Sequence, residues 1–419
     1  MGCGKSSSMI NYVNNAPDDV KFVYVTPFLS EVKRIKEECK GKNFKEPTTK
    51  NNRGTKTQGV LNLIATEQNI VTTHALFNVL GRKELQYFSA KNYILILDEV
   101  ADVVDFVKIS RDDYNSIFVK DKYAHIENNR VIWDHKDYSG ELEKFKKIAE
   151  IGNLYYNDAG NKKEEDRFFT WTFPINIFNA FIKNFVVTYM FEGQIQCAYY
   201  KMHDIKYKYI YVKNLKPEGE YSPENYIFED ALFDKPQEFD CGKYRQLINI
   251  CYHEKLNSLG AEKNDLCKNW YSKNPESYAI LKKNLLNYFT NIAKTPSKDN
   301  MWTTFKSYKE KLSGQGYTKG FVSCSSRATN EFRNKKALAY MINRYVNPEI
   351  KLFFNSFKIN IDESKFALSE MLQWIFRSQI RMDLPINIYI PSRRMRELLE
   401  DWLNNKVNFD EDAQDNPEI

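Results

Sequence analysis

The chain has 419 residues, with 61 Lys and Arg against 55 Asp and Glu, a formal charge of +6. That length suggests two or three domains, and so mild a charge does not by itself identify a nucleic-acid partner. Hydrophobic residues are 42% and aromatics 15%, with Tyr (27) and Phe (28) ahead of Gly (16) and Pro (13), so large buried cores are available and global disorder is excluded.

In chain order, the first signal is Gly2-Cys3-Gly4-Lys5-Ser6-Ser7, ahead of a helix predicted from Ser7 to about Val13. It reads as the second half of G-x-x-x-x-G-K-S/T, with Gly2, Gly4, Lys5, Ser6 and Ser7 forming a phosphate cradle at a helix N-terminus. Lys5 would reach the β- and γ-phosphates and Ser6 would hold Mg²⁺. Short apolar strands follow at 22–25, 69–72, 93–97 and 185–188, and the first and third run into Thr26-Pro27 and Asp98-Glu99. Continuous apolar runs with polar or acidic ends predict a parallel sheet covered on both faces, with chemistry at the carboxyl ends.

From about 200 the character changes. Residues 206–213 begin with strict Lys/Tyr alternation, which predicts a half-exposed strand: either a ribbon that stacks bases and holds phosphates, or an amphipathic edge with solvated lysines. Leu281, Leu285, Tyr288, Phe289 and Ile292 keep helical spacing and predict core contacts. A second α/β unit is expected near Gly320, with strands at 321–324 and 386–390 and a long helix over 366–381. The acidic residues of 410–419 predict a solvated tail.

Asp98-Glu99 lies 93 residues after Lys5, at the end of an apolar strand. An ATPase needs this pair beside its phosphate loop: Asp98 to bind Mg²⁺ through water, Glu99 to polarise the attacking water. A helix N-terminus dressed with acid would explain the carboxylates alone, but not the phosphate loop. Gln373, Arg377 and Arg381 are spaced i, i+4, i+8, which puts them on one face of a helix, where planar guanidinium groups could meet a γ-phosphate. Thr26, Thr72 and Thr73 in the first unit and Arg393, Arg394 and Arg396 in the second are candidates for sequence-independent contact with a nucleic-acid backbone. The alternatives are strand-end capping for the threonines and plain solvation for the arginines.

The seven cysteines form no C-x-x-C pair, so neither a disulfide framework nor a zinc ribbon is expected. Cys241, Cys251, His253 and Cys267 lack the tight paired spacing of a zinc site. The longest compact apolar run, 93–97, is far short of the roughly 20 residues that span a bilayer. The first residues lack a secretory signal pattern, so a reducing cytoplasm is expected.

Together these blocks resemble a DExD/H-box superfamily 2 helicase, and in particular the helicase-like ATPases of tailed-phage replication modules. Gly4-Lys5-Ser6 matches Walker A, Thr26-Pro27-Phe28 looks like motif Ia, Thr72-Thr73-His74 like Ic, and Asp98-Glu99 matches Walker B. Thr188-Tyr189 stands where the family has Ser-Ala-Thr. Ser325, Ser326 and Arg327 look like motif IV, and Gln373, Arg377 and Arg381 are similar to motif VI. The run Tyr389 to Arg396 looks like a signature of the phage group.

The resemblance implies two RecA-like parallel-sheet P-loop domains with ATP and Mg²⁺ in the cleft between them. The expected division is 1–195 for the first domain, 196–315 for a connecting or inserted region, 316–409 for the second domain and 410–419 for the tail. It also implies single-stranded or forked DNA as partner, with RNA open, together with replication or recombination proteins, and a host-cell cytoplasmic setting. The sequence departs from the family in three ways. The fourth position of the Walker B box is Ala101, the two motif VI arginines are four residues apart, and the chain begins inside the phosphate loop. From the last departure, the first domain is expected to lack its first strand, shortened by roughly 20 to 30 residues, the size of a strand plus its approach. The competing classes are a duplex-DNA motor that does not unwind and a non-catalytic binding module whose ATPase has decayed.

Overall fold

The computed structural model describes residues 4–48, 56–78, 80, 82–157, 168–216, 222–238, 241–324 and 331–407. Gly2, the motif IV residues Ser325, Ser326 and Arg327, and the acidic tail lie outside them.

The first described element is α1 (Lys5–Asn15), capped by Gly4 in the left-handed region at φ 78°. The strands that follow are β1 (Lys21–Thr26), β2 (Ile70–Thr73) and β3 (Tyr93–Asp98). After β3 the chain leaves the sheet for β4 (Val104–Val107), β5 (Ala124–Glu127), β6 (Arg130–Trp133), β7 (Leu154–Asn157) and β8 (Phe168–Thr172), and returns with β9 (Lys183–Val187). β1, β2, β3 and β9 form an all-parallel sheet of order β2-β1-β3-β9.

Alternation along the strands explains why their apolar runs are unbroken. Val23, Val25, Leu95 and Leu97 pack into a core on one face, while Phe22, Tyr24, Ile94 and Ile96 meet Met9, Ile10 and Val13 of α1 on the other. A sheet buried on both faces requires an apolar residue at every position. Truncating one of the fully buried leucines, Leu95 or Leu97, would cost about 2–5 kcal/mol.

Strands β4 to β8 make a separate antiparallel sheet of order β4-β8-β7-β6-β5 around their own core of Ile117, Val131, Leu154 and Phe169. It is inserted between β3 and β9. The next strands, β10 (Val212–Asn214) and β11 (Tyr226–Phe228), form a two-stranded antiparallel ribbon against α1.

The second unit is built on β12 (Ile248–Ile250), β13 (Asn300–Thr303), β14 (Ala337–Tyr340) and β15 (Ile386–Tyr389), all parallel in the order β12-β15-β14-β13. The chain is therefore α/β with two parallel-sheet units, the architecture expected of paired RecA-like domains. The second unit starts well before residue 316, because β12 and β13 both come from the stretch expected to be a separate connecting region. One predicted strand is absent and another is shortened to its last two residues, 212 and 213, in β10. Residues 206–211 make only a bridge between Tyr209 and Phe233, and 321–324 only one between Trp302 and Phe321.

The predicted helix over 366–381 is also shorter and earlier, at Glu363–Ile375. Asp362 caps its start, accepting from the Ser364 and Lys365 N–H groups. At its end the Ser378 hydroxyl donates to the Ile375 carbonyl, and the Gln379 N–H donates to Lys335, drawing the backbone away from the helix axis. Arg377 thus lies just past the helix and Arg381 in a separate 3-10 turn, Gln379–Met382. The single-face stripe of Gln373, Arg377 and Arg381 does not form.

Candidate active site

The carboxyl ends of β3 and β9 lie side by side, with Asp98 opposite Val187 in the register. Beyond them the backbone turns sharply. Glu99 takes a left-handed conformation (φ 68°), its N–H donates to the Val187 carbonyl at 3.1 Å, and the Thr188 hydroxyl donates to its Oε2 at 3.1 Å. A non-glycine residue at positive φ is strained, and here two flanking hydrogen bonds hold the carboxylate in place.

Asp98 is 6% exposed. Its backbone carbonyl lies 3.0 Å from His74 Nε2, and its carboxylate is 3.9 Å from the Arg34 guanidinium, which also pairs with Glu31 and Glu38. Burial, reinforced by neighbouring Glu99, pushes the Asp98 carboxyl up to about 7, and Arg34 and Lys5 pull in the opposite direction. Lys5, in the first turn of α1, stands over the Tyr189 ring at 5.5 Å from its centre. Ser6 is half-buried and Ser7 buried in the same turn. Gly4 has no room for a side chain, since a Cβ there would lie 1.9 Å from Tyr226 Cδ1.

From the second unit comes Arg377, 6% exposed, whose Nη1 donates to the Ser323 carbonyl at 3.3 Å. Burial pushes this guanidinium down to about 10, while Glu370 and then Glu99 favour its charged form. The structure thus brings together Lys5, Asp98 and Glu99 from one unit and Arg377 from the other. Gln373 instead lines a neighbouring cavity of about 1160 Å³ between the units, with Ala101, Asp102, Arg344 and Glu370. Arg381 is exposed.

Three links between and within the units carry no motif signature in the sequence. Trp402 Nε1 donates to the Tyr189 hydroxyl at 2.9 Å, and Gln194 Nε2 donates to the Ser369 hydroxyl at 2.9 Å. Gln196 Oε1 accepts from the Ala101 N–H at 2.8 Å, holding by the backbone the position that lacks the usual box side chain. Single glutamines at or just before a helix start and a tryptophan within a helix give no signal that could have marked them, and the same holds for Arg34.

A buried carboxylate with a raised affinity for protons, beside a helix whose first turn carries a hydroxyl, is an oxygen donor set suited to a hard divalent cation. Among the described residues no cluster of three or more His, Cys, Asp or Glu could hold a metal alone. The carboxylate and hydroxyl would suit Mg²⁺, which usually takes one or two protein ligands plus phosphate and water.

The candidate nucleic-acid residues divide. Thr26 and Thr72 are buried, and the Thr26 hydroxyl donates to the Phe28 carbonyl, so neither side chain reaches a ligand at the surface. Thr73 is half-buried and opposite Thr26 at the strand ends. Arg394 faces inward. Its Nη1 donates to Asn343 Oδ1 (3.0 Å) and the Arg344 carbonyl (2.8 Å), its Nη2 to the Glu363 carbonyl (3.1 Å), and it stacks on Tyr345. Arg396 Nη1 donates to the Ile390 and Pro391 carbonyls. Buried carbonyls need donors, and these two arginines supply them, so the expected phosphate role does not fit either. Arg393 alone of the three is exposed, paired with Glu397 at 2.7 Å.

Residues 242–403 match the family model described as the YonV C-terminal Rossmann-like domain, which spans the second parallel unit. Three solved structures are similar to the chain. Apo XPD has a TM-score of 0.45 at 10% identity, covering 93% of this chain and 90% of that one. An XPD helicase has 0.39 at 9%, covering 96% and 81%. S. tokodaii Xpd4 has 0.43 at 12%, covering 91% and 88%. No described helix is long and apolar enough to cross a membrane. The chain is 40% identical to the SPbeta prophage-derived uncharacterized protein YonV of Bacillus subtilis (strain 168), with 97% of each covered, and it belongs to that protein's family.

Proposed function

We propose that this chain is an ATP-dependent nucleic-acid helicase or translocase, acting on DNA in phage-type replication or recombination. The observation that carries the reading is the burial of Arg377, from one parallel unit, within electrostatic reach of Glu99, from the other. A desolvated guanidinium within electrostatic reach of a strand-end carboxylate suits the charge that develops on a transferring phosphoryl group.

ATP is the substrate in this reading. Lys5 and the backbone N–H groups around Gly4 bind its β- and γ-phosphates, and Ser6 and Asp98 would hold Mg²⁺. Bound Mg²⁺ neutralises charge on the phosphate oxygens. Glu99, held by Thr188, orients the attacking water and accepts its proton, and Arg377 stabilises the equatorial oxygens. The segment from Thr188 to Gln194 then connects hydrolysis to movement. One end touches Glu99, and Tyr189 and Gln194 are tied to Trp402 and Ser369 of the second unit. A change at Glu99 would pass along these partly or fully buried hydrogen bonds to the second unit. Alternate closing and opening of the two units would step the protein along a strand.

The test is displacement of a labelled strand from a forked DNA duplex. ATP-dependent displacement, lost in Arg377→Ala, supports the reading. DNA-stimulated hydrolysis with no displacement on any fork or tailed duplex assigns a motor that does not unwind.

A further inference from the structure

Away from the nucleotide site, the inserted antiparallel sheet meets the first parallel unit around a cavity of about 750 Å³. Its polar wall is assembled from distant parts of the chain: Arg130 at the start of β6, Asn153 before β7, Asn176 and Asn179 on a short helix, and His203 just after the helix Ile195–Met202. No Asp or Glu is among the described residues lining it. Arg130 makes no ion pair among the described residues, and its guanidinium lies 5.5 Å from the centre of the Tyr155 ring. Asn153 Nδ2 and His203 Nε2 are buried without a hydrogen-bond partner. A buried polar nitrogen left unmatched is a standing cost that a ligand oxygen removes.

We propose that this cavity binds a phosphate group, carried by a free nucleotide or by a nucleic-acid strand. Arg130 supplies the charge, and Asn153 and His203 supply hydrogen bonds.

Each feature points to an anion. A guanidinium with no ion pair and no facing carboxylate among the described residues gives a positive local field, and the asparagine amides add neutral donors around it. Burial, and then the charge of Arg130, hold His203 below its usual range, so its ring is neutral in the protein without ligand. An entering anion reverses that balance and favours the protonated ring, adding a second cation to the site. The cavity is larger than a lone oxyanion requires, and Leu80 and Ile175 on its wall offer apolar ground for an attached sugar or base. The proposal stands apart from the nucleotide-site reading, because none of its residues belongs to that site.

The test follows the imidazole NMR signals of the five histidines in the full chain. His203 is assigned through His203→Gln, and inorganic phosphate, AMP or an oligo-dT strand is added at low salt. The expected result is a saturable change at His203 and an upward move of its titration midpoint. Arg130→Gln weakens the response roughly tenfold or more, Arg130→Lys restores part of it, and Lys5→Ala leaves it intact. A much stronger response to oligo-dT than to AMP assigns the phosphate to a strand, and the reverse assigns it to a free nucleotide. If His203 is silent to all three probes, or answers equally in Arg130→Gln, the proposal is overturned. Neither outcome bears on hydrolysis at Lys5 and Glu99.

Discussion

Replacing Arg377 by methionine separates the cost of a charge from its use. The guanidinium is 6% exposed, and burial brings it down to about 10 even with Glu370 and Glu99 favouring its charge. At about 1.4 kcal/mol per pH unit, the fall from the usual arginine range corresponds to a penalty on the order of 3 kcal/mol. Because the folded value is depressed for a base, the native state resists the proton that the unfolded chain keeps. The penalty is fully present below pH 10 and fades only at higher pH. Methionine removes the charge while filling much of the space, and it forfeits the Ser323 hydrogen bond, worth roughly 1 kcal/mol. Arg377→Met should therefore be more stable than the parent by about 1–3 kcal/mol at pH 8 without nucleotide, and its ATP hydrolysis should fall by about 10³ or more. Thermal unfolding and steady-state hydrolysis on the same preparation read both quantities. A variant that melts lower than the parent, or one that hydrolyses ATP at the parent rate, would refute the argument that this buried charge is held for a phosphate.

Other expectations follow from the same geometry. Glu99→Gln should keep nucleotide binding while hydrolysis drops by about 10² or more, and an unchanged rate in single-turnover assays would remove Glu99 from the chemistry. Gly4→Ala places a Cβ at positive φ, costing about 1–2 kcal/mol, and drives it into the Tyr226 ring. Affinity for an ATP analogue should fall roughly tenfold, and equal affinity by titration would contradict the assigned loop. Gln194→Leu breaks the buried link to Ser369, so DNA stimulation of hydrolysis should shrink while basal hydrolysis persists. A preserved ratio of stimulated to basal rate would deny that link a coupling role. Arg394→Ala should lower stability by about 2–4 kcal/mol in urea titration, whereas Arg393→Ala should stay within about 0.5 kcal/mol. Equal effects would mean that Arg394 is not the clamp its hydrogen bonds indicate.

The first parallel sheet was legible because its strands are buried on both faces. Runs such as 22–25 and 93–97 have no polar position to blur them, and the chemistry sits at their ends. The inserted sheet was not legible, because β4 to β8 are only four or five residues long and share no burial pattern, from the wholly buried β7 to the half-exposed β4. The Lys/Tyr alternation at 206–213 gave the right spacing for a strand, but only its last two residues join a ladder, in β10, and Tyr209 makes a single bridge to Phe233. Tyr209 also hydrogen-bonds Glu192 and Tyr207 packs edge-on against Phe191, so the tyrosine face is held by side chains as well as by that short pairing. The arginines after Ser392 show a further limit. Whether Arg394 points to solvent or to Asn343, Arg344 and Glu363 depends on segments 31 to 51 residues away, which local pattern cannot read. The site itself was read in part. Lys5, Asp98, Glu99 and Arg377 do converge, while the helix end at Ile375 separates Arg381 from them. Gln194, Gln196 and Trp402 became visible only through their partners.

The measurement that bears most directly on the central claim is steady-state ATP hydrolysis by the full chain, with and without single-stranded DNA, beside Lys5→Ala and Glu99→Gln. The account predicts Mg²⁺-dependent hydrolysis, stimulated by the strand and reduced by about 10² or more in both variants. Hydrolysis that survives either substitution, or a folded chain that binds DNA and hydrolyses no ATP, would contradict it.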